Sequence, residues 1–356
     1  MSIKKINLQE FVELAKRHPT LDARSPGEFN HAHIPGAYSL PLFSDEERKI
    51  VGTAYKQQGK QVAIKLGLGF FGLKMKEMVE EVEKIIKNHE FVMQGSGIVN
   101  APILVHCWRG GMRSAGVAWL LDLYGFDVYT LAGGYKAYRN WVLAQFEKEY
   151  NIVIIGGYTG SGKTGLLKEM QKKGQATIDL EGLANHKGSA FGDMGKQPTQ
   201  EMFENLLSEQ LRHGETCGKT IWIEDESQRI GLMNIPNNFW KTMRTKPVSF
   251  LEIPFEERLH FITVEYGSIE KEKLVNAIIR IQKRLGPLET KTAIGFLMEN
   301  NYTGCFEILL KYYDKSYGKS LQKRENLHSL LTKISCPTVE PISNTDKLLS
   351  CATLNV

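Results

Sequence analysis

One segment constrains the fold more than any other, the stretch NIVIIGGYTGSGKT that ends at Thr164. An apolar run precedes Gly157, four residues separate Gly157 from Gly162, and Lys163 and Thr164 follow directly. A loop of this spacing binds phosphate when a buried strand leads into it and a helix leaves it, because N–H groups at the helix start then face the anion. GLLKEMQKK supplies the helical pattern. The segment therefore predicts an α/β sheet with a phosphate-binding loop at one strand end.

The polar groups of this loop have separate expected roles. The N–H groups around Gly157, Gly160 and Gly162 would hold a diphosphate. Lys163 would reach a terminal phosphate oxygen, and Thr164 would coordinate a Mg²⁺ ion if one accompanies the ligand. A glycine-rich connector without a ligand is the alternative interpretation, but the strand and helix around the loop favour a binding site.

Acidic residues follow two other short apolar runs of the same region. KTIWIEDES resembles the second strand of nucleoside triphosphatases with such loops, and it places Glu224 or Asp225 at the strand end. We assign Asp225 to the ligand site, where its carboxylate would hold the metal through water. Asp179 and Glu181 follow the run ATI and could also face the ligand. A solvated position at a sheet edge is the competing interpretation for these acids.

A second anion-binding loop is predicted where PILVHC runs into WRGGMRS and then into the helical pattern SAGVAWLLDLYG. This order of strand, glycine loop and helix surrounds the thiol of Cys107 with backbone N–H groups. The helix dipole and the guanidinium groups of Arg109 and Arg113 should lower the pKa of the thiol and give a thiolate near neutral pH. We assign Cys107, Arg109 and Arg113 as catalytic residues. A cysteine buried at the end of a core strand is the alternative.

The composition is that of a soluble globular protein with two domains. Its 356 residues exceed the roughly 250 to 300 at which a single core stops growing. No apolar run approaches the roughly 18 residues that span a bilayer, and the start MSIKKINLQEF lacks a signal-peptide core, so we expect a cytoplasmic protein without membrane partners. Five widely spaced cysteines without a CxxC pair favour neither a disulfide framework nor a zinc site.

We place the domain boundary after residue 145, giving domains 1–145 and 146–356. In the first, the strand candidates TLDAR, AYSLPL, PILVHC and DVYTLAG alternate with amphipathic patterns, of which residues 69–88 form the longest. No Pro-rich or Ser-rich spacer follows GGYKAYRNWVLAQF, which favours a continuous helical connection to the second domain.

The last third of the chain is predicted to be helical and basic. Residues 271–324 hold 11 basic and 5 acidic side chains. Four lysines recur at intervals of four with three tyrosines between them: Lys311, Lys315, Lys319, Lys323, Tyr312, Tyr313 and Tyr317. Lysines for phosphates and aromatic rings for bases are what single-stranded RNA recognition uses. A solvated lysine face with tyrosines in the core is the alternative.

The first domain resembles the rhodanese sulfurtransferases. The resemblance is carried by DARSPGEFNHAHIPGAYSLPL, the Cys107 loop and LAGGYKAY. Five residues separate Cys107 from Arg113, one more than in the usual sulfurtransferase loop, and HCWRGGMRS also fits the His-Cys, five residues, Arg-Ser pattern of cysteine phosphatases. A rhodanese-like phosphatase or sulfurtransferase is therefore one alternative function, and a nucleotide-dependent enzyme acting on RNA is another.

Nearly the whole chain resembles the tRNA 2-selenouridine synthases, through GTAYKQQG, DLEGLANHKGSAFG, QPTQEMFEN, IEDESQRIG, RLGPLETKTAI and LLKYYDKSY in this order. The resemblance implies a rhodanese-like domain followed by a P-loop domain. It implies conversion of the wobble 2-thiouridine of tRNA to 2-selenouridine, with selenophosphate and geranyl diphosphate as co-substrates, an S-geranyl intermediate and no tightly bound cofactor.

This chemistry suggests one task for each loop. The loop from Gly157 to Thr164 would bind the diphosphate of geranyl diphosphate while the sulfur is alkylated. Cys107 would then take selenium from selenophosphate as a selanyl-sulfide. Phe70, Phe71 and Leu73 are candidate walls for the geranyl chain, although a core position is their alternative.

Overall fold

The computed structural model describes residues 3–88, 102–188, 192 and 195–353. Contacts between residues divide the chain into two compact units, Met1–Ala144 and Gln145–Val356. Each unit has its own five-stranded sheet in which all neighbouring strands are parallel. The predicted α/β class is therefore confirmed for both parts of the chain.

The sheet of the first unit has the strand order β1-β5-β4-β2-β3. Its strands are β1 (Lys4–Ile6), β2 (Thr20–Asp22), β3 (Tyr38–Ser39), β4 (Pro102–His106) and β5 (Asp127–Leu131). Its helices are α1 (Leu8–Leu14), α2 (Pro26–His31), α3 (Asp45–Gln57), α4 (Lys60–Asn88), α5 (Met112–Tyr124) and α6 (Gly134–Gln145). All four predicted strands occur, and the cysteine loop lies between β4 and α5.

Helix α4 is longer than predicted, since it begins at Lys60 rather than at residue 69. The glycines of GLGFFGL discourage a helix on propensity alone. Gly67 is nevertheless buried in α4, and a Cβ there would lie 3.1 Å from the ring of Phe43. The glycine therefore allows the helix to pack closely on Phe43, and tertiary packing outweighs local propensity.

The second unit has the strand order β12-β11-β6-β8-β7. Its strands are β6 (Ile152–Gly157), β7 (Ala176–Ile178), β8 (Ile221–Glu224), β11 (Val248–Glu252) and β12 (Leu331–Ser335), with a separate hairpin of β9 (Arg229–Ile230) and β10 (Met233–Asn234). Its helices are α7 (Lys163–Lys172), α8 (Leu180–Ala184), α9 (Gln200–Thr216), α10 (Asn237–Arg244), α11 (Phe255–Tyr266), α12 (Lys271–Leu285), α13 (Pro287–Met298), α14 (Tyr302–Gln322), α15 (Leu327–Leu330) and α16 (Pro341–Thr353).

The predicted helical region is an insertion into the second unit rather than its end. Helices α11 to α14 share a separate apolar core that includes Ile262, Ile278 and Phe306. The chain then returns to the sheet, where β12 pairs in parallel with β11. The short run LTKIS has only one buried residue, Ile334, which is why its pattern did not reveal an edge strand.

The connection between the units is a turn and not a continuous helix. Helix α6 ends at Gln145, and the hydroxyl of Tyr150 donates a 3.0 Å hydrogen bond to the Gln145 carbonyl oxygen. This contact satisfies a carbonyl at the helix end, so the predicted helical continuation is wrong. No helix in the described part of the chain is long and apolar enough to span a membrane.

Candidate functional sites

The thiol of Cys107 lies at the end of β4, inside the loop that leads to α5. Its Sγ atom accepts a hydrogen bond from the Gly111 N–H at 3.4 Å and lies 3.2 Å from the Ser114 Oγ atom. Burial raises the pKa of the thiol, but the contacts with Ser114 and Gly111 and the charge of Arg113 outweigh it. The pKa of Cys107 therefore lies below its ordinary value, as expected for a nucleophilic cysteine.

The two arginines of the loop have different surroundings. Arg113 donates hydrogen bonds from Nη1 to Glu28 Oε2 at 2.6 Å and from Nη2 to Glu28 Oε1 at 3.3 Å. Glu28 also accepts the N–H of Ser25 at 3.1 Å, so α2 holds the guanidinium group beside the loop. Arg109 is exposed. Of the two predicted cationic residues, Arg113 is thus the one fixed by a partner from another element.

The start of α6 holds the cysteine loop in place through two backbone hydrogen bonds. The N–H of Tyr135 donates to the Cys107 carbonyl at 2.8 Å, and the N–H of Lys136 donates to the Trp108 carbonyl at 2.9 Å. A Cβ on Gly134 would lie 2.3 Å from the Cys107 carbonyl oxygen. This close approach explains the LAGGYK stretch, because only glycine lets the two backbones meet.

Replacing Ser114 with alanine is expected to raise the pKa of Cys107, because the thiolate loses the hydroxyl beside it. The ultraviolet absorbance of the thiolate, titrated against pH in wild type and in Ser114→Ala, measures the shift. Cys107→Ala supplies the baseline, and the transition should move to higher pH. An unchanged transition would mean that the backbone N–H groups of Ser114 and Gly111 and the charge of Arg113 lower the thiol pKa without the hydroxyl.

The glycine loop of the second unit follows β6 and opens into α7. Gly157, Gly160 and Gly162 all have positive φ angles, of 155°, 82° and 71°. A Cβ on Gly160 would lie 2.8 Å from Ile262, so α11 packs directly against the loop. The Lys163 ammonium group donates to the Gly157 carbonyl at 3.2 Å. Lys163 therefore curls over its own loop, as expected of a side chain that caps a phosphate.

Asp225 is linked to the glycine loop through one intervening side chain, that of Tyr317. Its carboxylate accepts hydrogen bonds from Arg324 Nη2 at 2.5 Å and from the Tyr317 hydroxyl at 2.7 Å. The Tyr317 hydroxyl in turn accepts the N–H of Gly157 at 3.3 Å. Asp225, Tyr317 and Arg324 thus form a buried link that supports the loop, whereas the ligand contact assigned to Asp225 has no direct geometric support.

A cavity of about 780 Å³ adjoins the glycine loop and combines a polar end with an apolar wall. Its polar end includes Lys163, Thr164, Glu181, Lys187 and Glu226. Its apolar lining residues come from α11, α12 and α14, namely Phe261, Ile262, Tyr266, Ile281, Phe306, Leu309, Leu310, Tyr312 and Tyr313. The same helices also contribute the charged residues Glu265, Arg280 and Arg284 to the lining. Of the two acids flagged after β7, Glu181 lines the cavity, while Asp179 caps α8 by accepting the Gly182 N–H at 2.7 Å.

The lysines and tyrosines of α14 do not share one surface. Tyr312 and Tyr313 are half-buried against the helical core and line the cavity, and Tyr317 contacts Asp225. Lys315 and Lys319 are exposed. The structure thus agrees with the alternative of an exposed lysine face with tyrosines packed inward, because successive residues of a helix point in different directions. An RNA-binding role for these side chains stays a prediction.

The three candidate walls proposed in the first unit do not form a slot. Phe71 is buried in the core, Phe70 packs edge-on against Phe43, and Leu73 is 82% exposed. Within the part of the chain that the structure describes, no group of three or more His, Cys, Asp or Glu side chains is placed to hold a metal ion.

Comparison with known proteins gives consistent matches for both units. A family model of the tRNA 2-selenouridine synthase AAA domain matches residues 150–336, and a model of the rhodanese-like domain matches residues 7–140. The tRNA 2-selenouridine synthase of Sulfurovum sp. (strain NBC37-1) is 34% identical over 86% of this chain and 89% of its own length. That of Shewanella pealeana is 34% identical over 91% of this chain and 94% of its own. A crystallised N-terminal domain from Clostridium difficile 630, assigned to an ATP/GTP binding protein, is 37% identical over 40% of this chain and 99% of that chain, with a TM-score of 0.34.

Proposed function

This chain belongs to the tRNA 2-selenouridine synthase family, and from that premise we propose how it works. It converts the wobble 2-thiouridine of tRNA to 2-selenouridine in two steps. In the first, geranyl diphosphate alkylates the sulfur. In the second, selenium from selenophosphate replaces the resulting geranylthio group.

The observation that carries this proposal is the composition of the cavity beside the glycine loop. Geranyl diphosphate has a strongly charged head and a wholly apolar ten-carbon tail. The loop N–H groups and Lys163 suit the head, and the wall formed by α11, α12 and α14 suits the tail. Each buried CH₂ group contributes about 0.8 kcal/mol, so an enclosed tail adds several kcal/mol to binding. A cavity of about 780 Å³ lies in the usual range for small-molecule sites.

The loop acts on the leaving group in the first step. The thiocarbonyl sulfur forms a bond to the allylic carbon, the bond from that carbon to oxygen breaks, and the diphosphate leaves with its electrons. Lys163 and the N–H groups stabilise the charge that develops on the departing oxygen. Thr164 offers the hydroxyl that would hold a Mg²⁺ ion, since this ion is usually bound through one or two protein oxygens and substrate phosphates.

The cysteine loop acts in the second step. The Cys107 thiolate attacks the phosphorus of selenophosphate, the phosphorus–selenium bond breaks, and selenium leaves as hydrogen selenide with its electrons. Hydrogen selenide attacks C2 of the base, the carbon–sulfur bond breaks, and geranylthiolate leaves. Water then hydrolyses the sulfur–phosphorus bond, which regenerates Cys107 and releases phosphate held by Arg113 and the loop N–H groups. A selanyl-sulfide on Cys107 would instead require an oxidant. Alkylation in the first step is what makes the sulfur a good leaving group.

The cavity wall provides a direct test of the ligand. Ile281→Trp fills the cavity from α12, so the Kd for geranyl diphosphate should rise about tenfold while that for inorganic diphosphate stays unchanged. Calorimetric titration of wild type and variant measures both constants. Ile279→Trp is the matched control, because Ile279 lies on the same helix, is 43% exposed and does not line the cavity.

Titrations with nucleotides, together with assays of turnover and phosphate release, separate the competing functions. Tighter binding of ATP or GTP, with Mg²⁺-dependent turnover and no geranylated RNA, would replace this proposal with a nucleotide-dependent enzyme. Release of phosphate from aryl phosphates without tRNA would instead favour a cysteine phosphatase.

A further inference from the structure

Alkylation of 2-thiouridine at sulfur releases a proton, and this proton needs an acceptor in the first step. As the carbon–sulfur double bond becomes a single bond, a double bond forms between C2 and N3. The electrons of the N3–H bond supply it, and the N3 proton must leave. A proton acceptor next to the alkylation site would therefore accelerate the step.

Two carboxyl groups lie side by side at the polar end of the cavity. Glu181 Oε1 and Glu226 Oε2 lie 2.5 Å and 2.9 Å from the point where a Cβ on Gly188 would sit. Both side chains line the cavity together with Lys163. Glu181 is the half-buried acid at the start of α8, so its carboxyl group can meet a bound ligand.

A third carboxyl group lies behind this pair and shapes its electrostatics. Glu224, at the end of β8, is fully buried, and its Oε1 atom accepts the N–H of Glu181 at 2.8 Å. Among the residues that the structure describes, its Oε2 atom has no hydrogen-bond partner. An uncompensated buried carboxyl group is costly to ionise, and it favours the protonated form of its neighbours when it is ionised.

We infer that Glu181 is the general base that accepts the N3 proton of 2-thiouridine during geranylation. The inference rests on the proposed function. The proton passes to the Glu181 carboxylate as the sulfur attacks the allylic carbon. The nucleoside therefore becomes neutral S-geranyl-2-thiouridine, and Glu181 becomes a neutral carboxylic acid. No oxidant or further reactant is required.

The surroundings of Glu181 suit this role. Burial raises the pKa of Glu181 to about 8, and the negative charge of Glu226 adds to the rise. The charged and titratable groups that act on it are Glu226, Glu224, Asp179, Lys163 and Lys187. A base works best when its pKa lies near the working pH, and this pKa exceeds that of an ordinary glutamate by more than three units.

The test is the single-turnover rate of geranylation, measured by mass spectrometry of the nucleoside from about pH 6 to 9. The substrates are an anticodon stem-loop RNA with 2-thiouridine and geranyl diphosphate, without selenophosphate. Wild type should accelerate as pH rises and level off above about pH 8, because only the carboxylate accepts a proton. Glu181→Gln should be about 100-fold slower near neutral pH, with the Kd for geranyl diphosphate changed less than about threefold.

Two further variants sharpen the assignment. Glu226→Gln removes a neighbouring negative charge, so it should lower the pKa of Glu181 and shift the rate profile to lower pH. Glu272→Gln, exposed in the first turn of α12 and outside the cavity, should behave as wild type. If Glu226→Gln loses the rate and Glu181→Gln keeps it, the base is Glu226 and the assignment is overturned.

A modified RNA separates a base from a residue that only binds ligand or metal. Because 3-methyl-2-thiouridine has no N3 proton, wild type and Glu181→Gln should alkylate it at rates within about threefold of each other. A variant that remains about 100-fold slower on this RNA acts through binding, and the inference fails. The pH profile on 2-thiouridine decides the matter if the methylated RNA does not react. No geranylation by folded, RNA-bound wild type would instead contradict the proposed function itself.

Discussion

Replacing Cys107 with alanine is expected to stop selenation and leave geranylation intact, so that S-geranyl-2-thiouridine accumulates in the tRNA. In the proposed second step the thiolate is the nucleophile toward selenophosphate, and loss of an enzymatic nucleophile typically costs about 10³-fold or more. The described residues that line the cavity at the glycine loop include none from the cysteine loop, so the first step should keep its binding groups. The measurement is mass spectrometry of the wobble nucleoside after incubation with geranyl diphosphate and selenophosphate.

Cys217→Ala is the matched control for this variant, because Cys217 is an exposed thiol after α9 in the other unit. It should form 2-selenouridine at the wild-type rate. Loss of geranylation in folded Cys107→Ala would show that the thiol takes part in the first step. Continued selenation would show that selenium reaches the base without the cysteine.

The proposed assignment of one reaction step to each loop follows from the chemistry of the anion that each loop would bind. A diphosphate leaves carrying several negative charges, and a helix start with Lys163 stabilises it by charge alone. In the proposed second step selenophosphate is instead attacked, which requires a thiolate. The contacts of Cys107 with Ser114 and Gly111 and the charge of Arg113 lower the pKa of the thiol and so favour this form. Two loops with the same strand–loop–helix plan thus differ in whether the anion leaves or is attacked.

The sequence predicts both strands that end in glycine loops. The apolar runs of β4 and β6 are buried, and Gly110 after β4 and Gly160 and Gly162 after β6 occupy backbone conformations that other residues rarely adopt. Local pattern and tertiary environment agree there. They disagree in α4, where Gly67 is placed by its contact with Phe43, and in β12, where an edge position removes the apolar alternation.

Side chains that support the loops were harder to predict, because their partners are distant in the chain. Glu28 meets Arg113 across 85 residues, and Asp225 meets Arg324 across 99. Neither pairing has a periodic signal, so the sequence assigns Asp225 to the ligand site and gives no sign of its contact with Arg324. The ligand role of Asp225 stays a prediction. The sequence predicts for Glu181 that it could face the ligand, with a solvated position as the alternative. Its role depends on burial beside other carboxyl groups, which spacing does not reveal.

Replacing Lys163 with alanine is expected to slow geranylation by about 10²- to 10³-fold, because the departing diphosphate loses a charged donor inside a sheltered site. Selenation of tRNA that already carries the geranyl group should proceed at the wild-type rate, since this step uses the cysteine loop. Rates of both steps, measured separately from 2-thiouridine tRNA and from geranylated tRNA, provide the comparison. Lys172→Ala controls for loss of positive charge, because Lys172 lies on the same helix, is exposed and pairs with Glu169 outside the cavity. Equal loss of both steps in Lys163→Ala would mean that the glycine loop serves tRNA binding or folding rather than the leaving group.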